Sequence, residues 1–212
     1  MFPKRWRRAI GFYIEERLFL FILVGLLFTM GIVFGTLSAQ NLDYGQKTEL
    51  LQYIQFFFQG MKQEAAPVTD AALAGEAIFN HLKTVFFFIL LGISVIGVPL
   101  ILFLLFAKGY ILGFTIGFIL QQLAGKGFLF TVTSVFPHYA LIIPALMIAG
   151  VANIDLAGAL LKSRFGQVNR PVSADLFQGL GISGLAMVLL AVSGLIEGFV
   201  SPMLVYWVAK LF

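Results

Sequence analysis

Apolar residues are concentrated in five long stretches that are separated by short polar joints. An α-helix rises about 1.5 Å per residue, so about 20 apolar residues are needed to cross the hydrocarbon layer of a bilayer. The pattern therefore predicts five membrane-spanning helices. Their predicted bounds are Leu18 to Ala39, Val85 to Phe106, Gly109 to Leu123, Phe128 to Ala152 and Leu180 to Val208.

The third predicted span is shorter than the others. It has about 15 residues, which is below the usual range for a transmembrane helix, and it ends in Gln121 and Gln122. We expect this helix either to tilt little or to thin the bilayer locally. The joint before it contains a charged residue, Lys108.

Composition agrees with a membrane protein. Of the 212 residues, 60% are hydrophobic and only 11% are charged, which is too apolar for one soluble core of this size. No segment shows the alternation of a barrel strand, so we predict an all-α, polytopic helical bundle with a single domain over residues 1–212. Cysteine is absent, which excludes disulfides, thiolate metal sites and a cysteine nucleophile. We expect no metal and no cofactor.

Basic residues are distributed unequally between the two ends of the predicted spans. Because Lys and Arg are retained on the cytoplasmic side, the distribution predicts a cytoplasmic N-terminus and an external C-terminus in the cell membrane. The net charge of +4 reflects this topology, and we expect no nucleic-acid partner. The predicted inner residues are Lys4, Arg5, Arg7, Arg8, Arg17, Lys108, Lys162, Arg164 and Arg170, and the predicted outer ones are Lys47, Lys62, Lys83, Lys126 and Lys210.

The longest predicted external segment runs from Gln40 to Thr84. Within it, residues 47–63 show apolar side chains at helical spacing, which predicts an amphipathic helix ended by Ala65-Ala66-Pro67. Phe57, Phe58 and Met61 on its apolar face are candidates for docking an external partner. The alternative, which we favour, is a helix that lies in the membrane interface or caps the bundle, since an exposed Phe56-Phe57-Phe58 run favours aggregation.

Two further helices are predicted outside the spans. One begins at about Thr69 and leads through Ile78 into the second span. The other is a short cytoplasmic interface helix between the fourth and fifth spans, which Gly166 ends. Its apolar residues are Leu156, Leu160, Leu161 and Phe165.

Glycines recur every fourth residue within the spans. Gly109, Gly113 and Gly117 form the longest row, and shorter rows begin at Gly31 and Gly194. Rows of small residues let two helix backbones approach closely. We therefore predict that Gly109, Gly113 and Gly117 pack against a neighbouring helix, in preference to lining a pore.

Two ionisable residues interrupt the later spans, His138 in the fourth and Glu197 in the fifth. Each lies about ten residues, or 15 Å, from the predicted external end of its helix. We predict a buried hydrogen bond between His138 and Glu197 that joins the two helices. A proton relay is the competing interpretation, but it needs further titratable groups, and none falls within the predicted spans.

Four prolines are also placed inside the predicted spans. Pro137 and Pro144 flank His138, so we expect the fourth helix to be kinked or broken, while Pro99 and Pro202 interrupt two other helices. A broken helix at mid-depth is typical of transporter binding sites, and it is also compatible with packing alone.

A series of short segments occurs in an order and spacing that is specific when taken together. These segments are Ala77-Ile78-Phe79-Asn80-His81, then Gly92, Gly97 and Pro99, then Phe106-Ala107-Lys108-Gly109 and Gly113-Phe114-Thr115-Ile116-Gly117-Phe118, then Pro137-His138 and Ile143-Pro144-Ala145, and finally Leu195-Ile196-Glu197-Gly198-Phe199 with Pro202. In these segments the chain resembles the stage II sporulation protein M family of bacterial membrane proteins. It departs from relatives outside sporulation at Lys108 and Ile142, where those often carry Asn and an acidic residue.

The resemblance implies a role in engulfment during endospore formation. Members of this family act in the mother-cell membrane at the septum, together with the cell-wall-degrading stage II sporulation proteins D and P. By this resemblance the chain is a non-enzymatic scaffold that localises those hydrolases. Because the predicted topology places residues 40–84 outside the membrane, our hypothesis is that the helix Lys47 to Gln63 is the docking element. A homo-oligomer is also compatible with the sequence.

Three other classes stay open. An intramembrane serine hydrolase would need Ser94 and His138 within reach of each other, although no oxyanion-hole signature accompanies them. The glycines and prolines are also typical of a transporter or channel component. An assembly subunit of another membrane complex is the third.

Overall fold

The computed structural model describes residues 13–63, 71–94, 96–164 and 172–209, and these form helices joined by short turns, without strands. The all-α fold class is confirmed. The helices are α1 (Leu18–Gln40), α2 (Tyr44–Gln63), α3 (Ala71–Ile93), α4 (Gly97–Ser134), α5 (Phe136–Arg164), α6 (Val172–Leu195), a π-helical segment (Ile196–Val200) and α7 (Ser201–Ala209).

Five helical stretches in the described chain are long and apolar enough to cross a membrane, which confirms the polytopic bundle. Their lengths range from 23 to 36 residues, so each exceeds the thickness of the hydrocarbon layer. They are Leu18–Gln40, Ala71–Ile93, Gly97–Leu123, Phe136–Ser163 and Ser173–Val208.

The turn between the second and third spans is not where the sequence pattern indicated. The prediction placed it around Lys108, but α4 runs through this residue without interruption, and the turn lies before Gly97 instead. There, Ser94 donates its N–H to the Leu91 carbonyl and Gly97 donates to the Ser94 carbonyl. A Cβ on Gly97 would collide with the Leu91 carbonyl, so the turn requires glycine. The prediction of a short third span is therefore wrong, because this span has 27 residues.

Helix α4 bends sharply near its C-terminal third. A Cβ on Gly127 would lie 2.5 Å from the carbonyl oxygen of Ile119, whereas eight residues of straight helix separate two positions by about 12 Å. The chain therefore folds back between these residues. After this bend the chain continues into α5, which runs antiparallel to the first part of α4. Leu105 contacts Gly150 of α5, whereas Leu112, later in α4, packs in a cluster with the earlier α5 residues Tyr139 and Ile143.

The end of α5 also differs from the prediction. Instead of a separate interface helix, Leu156, Leu160 and Leu161 continue α5 to Arg164, and the predicted end at Phe165 and Gly166 lies outside the described residues. Leu156 is 2% exposed because it packs against Gly179 of α6. The apolar residues continue the helix, and of the three Leu156 is buried whereas Leu161 is exposed.

The four prolines affect the helices to different degrees. Pro99 and Pro137 each lie in the first turn of a helix, where a backbone N–H has no intrahelical acceptor in any case. Pro202 follows directly on the π-helical segment. Pro144 lies inside α5. The break expected in the fourth helix occurs at Val135, two residues before Pro137, whose missing N–H leaves the carbonyl four residues earlier without its helical donor.

Helices α1 and α4 pack with their backbones in contact. Cβ atoms on Gly109 and Gly113 would collide with the carbonyl oxygens of Phe28 and Ile32, and one on Gly117 would lie 3.0 Å from the Cα of Thr36. The approach is reciprocal, because side chains on Gly31 and Gly35 would strike the α4 backbone at Phe106 and Tyr110. The predicted glycine row thus lies in the tightest described helix pair, where Thr36 Oγ1 also donates to the Gly113 carbonyl at 3.1 Å.

The start of α1 is attached to α5 by charge. Arg17 Nε donates to Asp155 Oδ2 at 2.6 Å, and its guanidinium lies 4.3 Å from the centre of the Tyr13 ring. Burial raises the pKa of Tyr13 to about 12, so its hydroxyl stays neutral. The same hydrogen bond and charge of Asp155 raise the pKa of Arg17 against the effect of its burial. The apolar core of the bundle contains Val24, Val85, Phe88, Ile101, Leu105 and Leu190.

Candidate functional site in the membrane

The candidate site is built on a widened helical turn between α6 and α7. Pro202 has no N–H to offer and its ring clashes with a carbonyl four residues earlier, at Gly198. The chain accommodates this by a π-helical segment in which the Ser201 N–H donates to the Ile196 carbonyl, five residues back. Such π segments are often found at functional sites. This one contains Glu197.

Glu197 is bonded to a histidine of another helix. Its Oε2 lies 2.9 Å from Nε2 of His81 in α3. The two elements are held close around this pair, since Gly194 packs on Ile78 and Gly198 packs on Ala74 with no room for a Cβ. The His81 side chain is 15% exposed and that of Glu197 is 38% exposed. The ion pair is thus partly accessible from outside the bundle.

His138 makes a different contact from the one predicted. Its Nδ1 lies 3.2 Å from Oγ of Ser201, and its backbone carbonyl accepts a hydrogen bond from Ser193 Oγ at 3.0 Å. His138, Ser193 and Ser201 are all buried. The predicted hydrogen bond between His138 and Glu197 is therefore wrong. His138 and Glu197 each form a hydrogen bond that joins two helices, but they do not bond to each other.

The two hydrogen-bonded pairs nevertheless share one electrostatic environment. The Glu197 carboxylate interacts electrostatically with His138 and Lys108 as well as with His81. We call His81, Lys108, His138, Glu197 and Ser201 the polar cluster. We expected no further titratable groups within the spans. This expectation is wrong, because His81 and Lys108 both lie within spans.

The polar cluster lies at the depth of the apolar layer. His81 is the eleventh residue of the 23 in its span, and Lys108 is the twelfth of the 27 in its own. An ionised side chain at mid-membrane costs about 2.5–3.5 kcal/mol on insertion scales, so such residues pair with each other and mark functional positions. In the polar cluster, the basic side chains of His81, Lys108 and His138 interact electrostatically with the Glu197 carboxylate.

The described arrangement limits the chemistry that this region supports. In the described part of the chain, no group of three His, Asp or Glu side chains is placed to hold a metal ion. Ser94 cannot pair with His138, because neighbouring Gly92 packs on Asn153, which is 15 residues and about 22 Å along α5 from His138. The hydrolase alternative is thus contradicted by distance.

A second polar contact lies deeper in the bundle core. Asn153 is fully buried and donates from Nδ2 to the Ala149 carbonyl at 2.8 Å and to Ser183 Oγ at 2.9 Å. Its Oδ1 has no partner among the described residues. The contact joins α5 to α6 where Gly92 of α3 lies against it. It binds three spans together and has no titratable member.

Helix α2 packs only weakly on the rest of the described chain, mainly on α7. Its aromatic residues Tyr44, Tyr53 and Phe56 are 83%, 68% and 78% exposed. The side chains of Phe57, Phe58 and Met61, which we predicted as docking residues, lie outside the described part of the structure, and so does the predicted helix end at residues 65–67.

Sequence reasoning missed His81 as a site residue because the second span was predicted to begin at Val85. A signal for it was present. Residues 74, 78, 81, 85, 88 and 92 follow the alternating spacing of four and three that marks one face of a helix. Ala74, Val85, Phe88 and Gly92 on this face are buried, so a histidine among them required a polar partner.

Comparison with known proteins gives the family. A family model described as stage II sporulation protein M matches residues 24–202, which include every member of the polar cluster. No curated protein and no solved structure gave a match. Because the matched range covers most of the 212 residues, the chain belongs to the stage II sporulation protein M family.

Proposed function

We propose that this sporulation membrane protein is a non-enzymatic scaffold that localises cell-wall hydrolases at the septum during engulfment. The observation that carries the proposal is the exposure of aromatic side chains on α2, where Tyr53 and Phe56 are neighbours on one face. Aromatic residues are enriched at protein interfaces, and a helix that packs so little on its own bundle is suited to a partner. By family resemblance, the partners are stage II sporulation proteins D and P.

The competing role for α2 is burial of the same aromatics in the membrane interface. The two roles differ in what a substitution changes. Replacement of Tyr53 and Phe56 by serine removes a docking surface without altering the five spans, so co-purification with the two hydrolases should fall and membrane insertion should persist. Phe177→Ser is the matched control, since Phe177 is 76% exposed on α6, far along the chain from α2.

Unchanged co-purification of the Tyr53→Ser, Phe56→Ser variant would contradict docking through α2. The wider proposal is tested by deletion of the gene in its source organism. We expect sporulation to stop at engulfment and the hydrolases to lose their septal position. Normal spores would overturn the scaffold role altogether.

The proposed orientation places the N-terminus in the cytoplasm and α2 outside the membrane. With the observed bounds, Lys83, Lys108 and Lys162 fall within spans and leave the comparison, so the predicted inner side keeps seven of its nine basic residues and the outer side four of its five. Because the chain has no cysteine, single substitutions Lys47→Cys and Lys162→Cys test the orientation directly. Labelling of Lys162→Cys and not Lys47→Cys from outside would contradict it.

A transporter or channel component is the second candidate, and the polar cluster favours it. Titratable groups from four spans meet within the bundle, as in proton-coupled carriers. Proton or solute flux into proteoliposomes that is lost in Glu197→Gln would support this function. Absence of flux in the unmodified protein would leave the scaffold as the function of the whole chain.

A further inference from the structure

A groove of about 480 Å³ opens at the end of the bundle opposite to the polar cluster. It lies between the starts of α1, α4 and α6 and the end of α5. Most of its wall is apolar, and Gly158 leaves part of it open because a Cβ there would contact nothing within 4 Å. The lining residues used below are Leu20, Val98, Leu161, Asp155, Lys162 and Asp175.

The groove coincides with the edge of the apolar layer. Leu20 and Val98 lie within the first three residues of their spans, Lys162 is one residue from the end of its span, and Asp175 is two residues after the start of another. Charged and apolar residues therefore line the groove together near the ends of the spans. A cavity with both kinds of lining is suited to an amphiphile whose head lies at the interface.

The charges at the rim indicate what kind of head fits. Asp155 is already paired with Arg17 at 2.6 Å. Lys162 and Asp175 have no ion-pair or hydrogen-bond partner within the described ranges. One free cation and one free anion suit a zwitterionic head better than an anionic one, which Asp175 would repel.

We propose that the groove binds a phospholipid with a primary-amine head, namely phosphatidylethanolamine. Lys162 contacts its phosphate, and Asp175 accepts hydrogen bonds from its ammonium group. The acyl chains leave the groove over Leu20, Val98 and Leu161. A choline head carries the same charge but has no N–H to donate, so the site distinguishes the two. This site is separate from the polar cluster and does not depend on the scaffold proposal.

The test is lipid titration of the purified, delipidated full-length protein, followed by native mass spectrometry. We expect phosphatidylethanolamine to bind about tenfold more tightly than phosphatidylcholine or phosphatidylglycerol, which corresponds to one charge-assisted hydrogen bond. Asp175→Asn should reduce this preference to less than about twofold, and Lys162→Gln should weaken phosphatidylethanolamine and phosphatidylcholine alike, because both carry the phosphate.

Gly158→Leu projects a side chain into the groove and should abolish saturable phosphatidylethanolamine binding. Gly184→Leu is its matched control, because Gly184 is a helical glycine with equal free space that does not line the groove. Equal affinity for the three lipids, or unchanged binding in Gly158→Leu, would overturn the proposal. So would loss of binding in Gly184→Leu, since it would show a general effect of added bulk.

Discussion

Two pairs of membrane helices in this bundle are held together by different means. Helices α1 and α4 meet through backbone contacts at glycines, and no titratable residue takes part. Helix α3 meets the π segment through the same kind of glycine contact, at Gly194 and Gly198, but it adds the His81–Glu197 pair. Small residues provide close packing in both places, whereas only the second contact depends on charge.

The difference indicates a division of labour. Backbone packing at glycines is rigid, because a collision with a carbonyl cannot be relieved by a side-chain rotation. The polar cluster has alternative proton positions and is partly exposed, so its strength varies with its surroundings. We therefore expect the α1–α4 contact to be structural and the polar cluster to be the adjustable part of the bundle.

The largest expected effect is in the glycine contact. Gly113→Leu places a side chain against the Ile32 carbonyl, so we expect a loss of about 3 kcal/mol or more in the free energy of unfolding. Gly125→Leu on the same helix is the control, because a Cβ there meets nothing within 4 Å. Unfolding in mixed micelles measures both variants. Similar losses of stability in Gly113→Leu and Gly125→Leu would show that α4 tolerates no larger side chain at either position. That result would contradict a special role for the glycine contact.

A smaller effect is expected in the polar cluster. We expect His81→Gln and Glu197→Gln to show a coupling energy of about 1–2 kcal/mol in a double-mutant cycle, because each removes one partner of a charged hydrogen bond. The same cycle for His138→Gln with Glu197→Gln should give a smaller value, since these two residues interact only through space. A larger coupling for His138 would restore the pairing predicted from the sequence.

The smallest effects compare one hydroxyl in each region. Ser193→Ala should cost about 1 kcal/mol, because the fully buried hydroxyl donates to the His138 carbonyl. Thr36→Val should cost less than about 0.5 kcal/mol, since the glycine contact persists without its bond to Gly113. Thermal stability in detergent measures both. If Thr36→Val were the more damaging, hydrogen bonding and not backbone packing would dominate the α1–α4 pair.

Most of the architecture followed from apolar patterning, but one boundary did not. Lys108 divides an apolar run, and a charge in such a run normally marks a joint. The chain instead turns at Gly97, where a side chain would collide with Leu91, and keeps Lys108 inside α4 near Glu197. This single shift also hid His81, which the sequence reading left outside the second span. The sequence therefore predicted two members of the candidate site, His138 and Glu197, but the hydrogen bond predicted between them was wrong.

The amino-acid sequence by itself determined the class, the number of spans, the glycine row and the family resemblance. These depend on composition and on residue spacing along one helix, which are local properties. Only the tertiary structure decided that Glu197 bonds His81, that His138 bonds Ser201, and that Lys108 joins them. Those contacts join residues up to 116 positions apart, and helix packing, with the turn widened before Pro202, selects which side chains meet.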